Sequence, residues 1–152
     1  MARVFDTLDD FKAVVGQEIG TSEWHTVTQQ QIDTFADATG DHQWIHVDPE
    51  RAATGPFGTT IAHGYLTLSL LPRLAETTYE VHGLAMGVNY GTNKVRFPGP
   101  VPVDSRIRAV ITLKDATDIA IGTQFTVGFV VEREGADKPV CIAEVLYVFA
   151  AA

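Results

Sequence analysis

The sequence predicts an α+β fold in which a long antiparallel sheet wraps around one apolar helix, and three observations lead there. The first half of the chain reads as helices and loops and everything after Gly83 reads as strand, so the two kinds of element are segregated rather than alternating. One helix, from about His63 to Thr78, carries Tyr65, Leu66, Leu68, Leu70, Leu71 and Leu74 in most directions around its axis, which places it inside the molecule. The strands alternate apolar and polar residues with much period-two regularity, so they have one face to bury.

Taken in order, Thr7 to Val15 reads as a short helix with Leu8, Phe11, Val14 and Val15 on one side and Gly16 past its end. Ser22 to Val27 is a candidate strand. Thr28 opens a second helix with Gln31 three residues on, the spacing of a capping box; Ile32, Phe35 and Ala36 form its buried stripe and Gly40 ends it. The run from Gly40 to Asp48 is too polar and interrupted for regular structure and is expected to be an ordered loop. Asp48 followed by Pro49 is an N-cap and first helical position, giving a turn or two of helix through Ala53. Gly55-Pro56-Phe57-Gly58 makes a further turn, and Pro72 implies a kink or break within the central helix. The strands are Leu84 to Tyr90, Asn93 to Phe97, Val103 to Leu113, Ile119 to Glu132 and Val140 to Phe149. Gly91, Pro98 to Pro102, Asp115 to Asp118 and Gly135 to Pro139 supply the turns between them. Sheet and helix each bury the other's hydrophobic face, which is a hot-dog architecture.

At 152 residues with 45% hydrophobic content, residues 1–152 are expected to form one domain with an adequate core of its own. Cys141 is the single cysteine, set between Val140 and Ile142, so an intrachain disulfide is impossible and a core thiol is expected. The N-terminus turns acidic at Asp6 before any signal-like run, and nowhere do about 18 uncharged apolar residues follow one another, so a cytoplasmic protein is expected. A formal charge of -8 disfavours nucleic acid and anionic membranes as partners. A phosphorylated ligand needs a local basic patch, for which Lys94, Arg96, Arg106 and Arg108 are close together in sequence.

Asp41 and His46 carry the main chemical signal. A carboxylate and an imidazole on one loop, converging on a water, orient it, take its proton and return one to a substrate; the plainer reading of the same residues is a turn cap and an ordinary loop histidine. His42 and His46, with Asp41 and Asp48 nearby, have the spacing of a metal pair. Gln43 stands where the His-Glu-x-x-His motif needs Glu, however, and no metal is assigned. Gly64 begins the buried helix, where the first amides lack intrahelical partners and can face a developing oxyanion; alternatively it only permits close packing. His63 reads as a hydrogen-bonded structural histidine. His25 and His82 are treated as surface residues, and Ser69 is expected to bond back to its own helix.

The run Phe35-Ala36-Asp37-Ala38-Thr39-Gly40-Asp41-His42-Gln43-Trp44-Ile45-His46-Val47-Asp48 resembles the hydratase signature of the MaoC-like dehydratase family. Ile61-Ala62-His63-Gly64-Tyr65-Leu66 resembles that family's entry to its central helix, and Lys94-Val95-Arg96-Phe97-Pro98 and Pro100-Val101-Pro102-Val103 resemble the strand that follows. The likeness is nearest to the stand-alone, single-hot-dog members, including the nodulation-protein-N-like group. It implies a cofactor-free, homodimeric R-specific enoyl-CoA hydratase acting on enoyl-CoA or enoyl-acyl-carrier-protein. Asp41 and His46 are then the catalytic pair, Gly64 the oxyanion donor, Gln43 and His63 the residues supporting the pair, and Lys94 and Arg96 the contacts for CoA phosphates. Two positions depart from the pattern: Gln43 replaces a common Asn, and Asp104 stands at a turn usually held by Gly. The same fold also serves thioesterases, which direct water to the carbonyl carbon, and catalytically silent acyl-binding subunits, so both remain alternatives.

Overall fold

The computed structural model describes residues 1–152. A small parallel pair, β1 (Arg3–Phe5) and β4 (Tyr79–Val81), lies apart from the main sheet, where β2 (Glu18–Thr21), β6 (Arg106–Ile119), β7 (Gly122–Arg133), β8 (Cys141–Ala151) and β5 (Leu84–Arg96) run in the order β2-β6-β7-β8-β5. β3 (His25–Thr26) also pairs with β6, antiparallel like every pairing of the main sheet. Alternation along the three inner strands is regular. Ile107, Ala109, Ile111 and Leu113 of β6, Phe125, Val127, Phe129 and Val131 of β7, and Cys141, Ala143 and Val145 of β8 all face the core. The fold is the α+β hot-dog that the pattern of elements predicts.

The helix wrapped by this sheet is broken in two, α5 (Gly64–Ser69) and α6 (Leu71–Glu76), with Leu70 at the joint. Pro72 explains the break, because it has no N–H for the carbonyl of Leu68 and its ring crowds that carbonyl. Leu66, Leu70, Leu71 and Leu74 are buried against the sheet, and truncating Leu71 or Leu74 to Ala should cost about 2–5 kcal/mol. Tyr65 departs from the expected all-round burial at 71% exposure, since nothing in the chain covers that side of α5. Ser69 donates to the carbonyl of Tyr65 at 2.7 Å, as expected of a hydroxyl within a helix.

Ahead of the central helix come α1 (Leu8–Lys12), α2 (Gln29–Thr39), α3 (Trp44–Val47) and α4 (Pro49–Ala52). Thr7, Thr28 and Asp48 cap α1, α2 and α4 through amides three residues on, and Gly40 closes α2 at φ 82°, a conformation that favours glycine. The capping box is only half formed, because Gln31 turns its carboxamide to His25 instead of to Thr28. α3 overturns the expectation of an irregular loop: its one turn closes through the Asp48 amide on the Trp44 carbonyl.

Three further boundaries differ from the sequence reading. Of the expected Ser22 to Val27 strand only His25–Thr26 pairs, as β3, while β2 ends just before it at Thr21 and the Ser22 hydroxyl takes the Ala109 amide between them. Gly91 is no turn, because β5 runs on through register shifts between Asn89 and Gly91 and between Thr92 and Lys94, where glycine suits a bulge. Asp115 to Asp118 stays in β6, since this hairpin extends past the core and its side chains sit mostly in solvent, where polar residues are tolerated. No helix is long and apolar enough to cross a membrane.

Candidate active site

Asp41 follows directly on Gly40, so the left-handed turn that stops α2 also delivers this carboxylate to the surface. Its Oδ1 accepts the Gln43 amide at 3.3 Å. That contact uses the main chain of Gln43. Its side chain forms no hydrogen bond, so the Gln43 carboxamide gives Asp41 no direct support.

His46, on α3, is 6% exposed. Its Nδ1 lies 2.7 Å from the Ile61 carbonyl, which can only accept, so Nδ1 carries the proton and Nε2 offers its lone pair. Burial lowers the pKa of the ring, with His63 adding to the effect and the hydrogen bond to Ile61 and the nearby charge of Asp41 opposing it, which favours the neutral ring. Its carbonyl accepts from Gln29 Nε2 at 2.8 Å.

His63 caps the start of α5 and is 2% exposed. Its ring stacks on that of His46 with centroids 3.9 Å apart and planes 23° apart, and Phe35 packs on it at 4.9 Å. Its Nε2 donates to the main-chain carbonyl of Asp41 at 3.0 Å, while its Nδ1 is buried without a partner. Through that bond His63 ties the Asp41 backbone to the central helix. The functional atoms of Asp41, His46 and His63 lie within 4.8 Å of one another.

The Gly64 and Tyr65 amides have no acceptor within the chain. The space where a side chain on Gly64 would stand is taken by Phe97, whose ring lies 2.9 Å from an ideal Cβ position. The lack of a side chain therefore serves close packing against the residue that follows β5. The same residue is half-buried and lines a cavity of about 340 Å³ with Phe57, Ile61, Thr67, Phe97 and Val101. Of the two roles that sequence alone left open for Gly64, close packing is seen directly, and its amide is left without an acceptor in the chain.

Asp41, His46 and His63 are also the one set of three metal-type ligands in the chain. Imidazole lone pairs lie in the ring planes, and two nearly parallel stacked rings send them side by side. A zinc ion about 2.0–2.1 Å from both nitrogens would have to leave at least one plane. His42, the other candidate, turns away to Asp37 at 2.9 Å, a hydrogen bond that raises its pKa. The set therefore suits water and a polar substrate better than an ion.

Lys94 lines a depression on the outer face of the sheet with Lys114 and Glu144. Arg96, exposed, bonds the Val95 carbonyl. Arg106 and Arg108 flank Trp24 and pair with Glu134 and Glu132, so their charge is already matched. His25 is not a free surface residue: it accepts from Arg73 and bonds Gln31, linking β3 to α6 and α2. His82 is a partly exposed residue beside Glu80. Gln29, Thr60 and Phe97 escaped the sequence reading, because their contacts lie 17 to 33 positions away and leave no local pattern.

A hot-dog fold that brings a carboxylate within 4.8 Å of a buried imidazole, beside a helix start whose first amides are unpaired, holds the groups that can activate water. The chain belongs to the MaoC-like dehydratase family of hydratases and dehydratases, matching the MaoC like domain over residues 10–134. It is 58% identical over 143 residues to 3-hydroxyacyl-thioester dehydratase Z of Mycobacterium tuberculosis, covering 93% of this chain and 95% of that protein. It is 52% identical over 118 residues to Nodulation protein N of Rhizobium leguminosarum bv. viciae, covering 72% and 69%. An R-hydratase from Pseudomonas aeruginosa has the same fold, with a TM-score of 0.72 at 22% identity over 90% of this chain and 84% of its own.

Proposed function

We propose that this chain, acting as a single domain, reversibly hydrates trans-2-enoyl-CoA or the corresponding acyl-carrier-protein thioester to the (R)-3-hydroxyacyl thioester. The observation that carries the reading is the approach of the Asp41 carboxylate to the His46 ring, whose Nδ1 proton is committed to Ile61, ahead of a helix start where the Gly64 amide has no acceptor. With Nδ1–H committed to Ile61, His46 Nε2 accepts from water, as does Asp41. A water between them donates both protons and turns its lone pair to C3. The oxygen bonds to C3 as the C2–C3 π electrons move toward the thioester oxygen, which receives the Gly64 N–H. Such a donor contributes about 2.7–4 kcal/mol in acyl-transfer sites. The proton left on the pair then goes to C2 on the same face, so one face of the alkene is hydrated and one stereoisomer forms.

The reaction as written needs no cofactor. Arg96 and Lys94 serve the phosphates of the carrier, which predicts a KM that rises with salt. A homodimer is supported by the bare outer edge of β5, 13 residues long and unpaired on one side, beside the exposed Tyr65, Met86 and Tyr90. A cytoplasmic setting suits a chain whose single thiol is buried. The test is crotonyl-CoA with purified protein: loss of enoyl absorbance without free thiol, and a product resolved as the R isomer, supports the reading. Thiol release would establish a thioesterase instead, and the S isomer would overturn the facial assignment.

A further inference from the structure

We infer that Gln29 is a positioning residue for His46, acting through a clamp shared with Thr60. The inference rests on the hydration reading above for its kinetic arm alone. Gln29, the first residue of α2, uses its whole carboxamide. Its Nε2 donates to the His46 carbonyl at 2.8 Å and to Asp33 Oδ1 at 2.9 Å, and its Oε1 accepts from the Thr60 hydroxyl at 2.5 Å. Thr60 is 1% exposed. One peptide later, the Ile61 carbonyl receives His46 Nδ1–H at 2.7 Å, and the Ile61 amide returns to the Ile45 carbonyl at 3.0 Å.

His46 is therefore gripped twice, at its own carbonyl by Gln29 and at its ring by Ile61. Gln29 joins the two grips, because its other end holds the residue before Ile61. The clamp thus sets the distance between the His46 backbone and the one carbonyl that decides which ring nitrogen is protonated. If that distance opens, the ring samples the opposite tautomer, in which the nitrogen facing the water donates instead of accepting. The α2 helix needs none of this for its own start, which Thr28 already caps.

The test combines kinetics with ¹⁵N NMR of the His46 ring. Gln29→Leu keeps the bulk and removes every bond. Gln29→Glu keeps the acceptor for Thr60 and, when ionised, has no hydrogen for the His46 carbonyl. Both variants should lower kcat about 10- to 100-fold, the scale expected when a reacting group shifts by about 1 Å. KM should stay within about threefold, and His46 should show mixed tautomers where the parent shows Nδ1–H. Thr60→Val should reproduce the loss and Thr60→Ser recover most of it, while Gln29→Leu with Thr60→Val should be no worse than Gln29→Leu alone. The inference is overturned if His46 keeps a pure Nδ1–H tautomer in both Gln29 variants. It is overturned equally if Val127→Ala, a remote core change lowering the melting temperature to the same extent, lowers kcat as much. Should Gln29→Leu not fold, Gln29→Glu decides. A parent protein that hydrates no enoyl thioester would fail the earlier reading, and the tautomer measurement would still decide this one.

Discussion

The two halves of the candidate pair are held to different standards. His46 is buried, stacked on His63, bonded at Nδ1 and gripped at its carbonyl, whereas Asp41 is exposed with one 3.3 Å contact to its carboxylate. The contrast follows from the chemistry of the two groups. An imidazole has two different nitrogens and does its work only if the right one is bare, so the fold must choose for it. A carboxylate has two equivalent oxygens that accept from many directions, and nothing is gained by locking it before substrate arrives.

The largest effects should come from removing either half. Asp41→Asn and His46→Ala are each expected to lower kcat by on the order of 10² or more. Their stabilities should part company. His46→Ala strands the buried Ile61 carbonyl and should lose about 1–3 kcal/mol, while Asp41→Asn at the surface should stay within about 0.5 kcal/mol of the parent. Equal thermal shifts in the two variants would erase the comparison. Next in size is Gly64→Ala, whose added methyl meets the Phe97 ring; it should cost about 1–3 kcal/mol, and Phe97→Leu in the same chain should restore most of it.

A smaller effect is the pH dependence. The folded pKa of His46 is depressed, chiefly by burial, so between that value and 6.5 the unfolded chain binds a proton that the folded chain does not. Its contribution to stability is complete above 6.5 and is lost as pH falls below. His42, raised by its hydrogen bond to Asp37, acts in the opposite sense. The clean measurement is therefore the melting temperature against pH in His42→Gln, with and without His46→Ala. The acid slope should flatten in the double variant, and the acid limb of kcat/KM in the parent should lie below 6.5. Smallest is Asp104→Gly, far in sequence from either half of the pair. Asp104 holds φ 65°, and glycine there should add about 0.5–1 kcal/mol by urea unfolding with kcat unchanged.

What could be read from the residues follows the range over which each signal acts. Thr28 with Gly40, Asp48 with Pro49, and the break before Pro72 are local, and each stands where its own chemistry puts it. Period two along β6, β7 and β8 exposed the core face directly. The family signature drew attention to Asp41, His46, His63 and Gly64, and the first three come together with the fourth at the start of the next helix. α3 was missed because one turn of helix has no period to show. Gly91 and Asp115 to Asp118 misled because turn-forming residues also suit bulges and exposed strand tips. Gln29 and Phe97 act on partners far along the chain, so nothing beside them in sequence marks what they do.

The contact between Phe97 and Gly64 has a mechanical meaning. The ring at the end of the sheet stands where a side chain of residue 64 would be, so the spacing between the sheet end and the start of the central helix is one aromatic ring thick. Residue 97 is therefore a shim. A thinner side chain there would leave room beside Gly64, and a wider one would press against it.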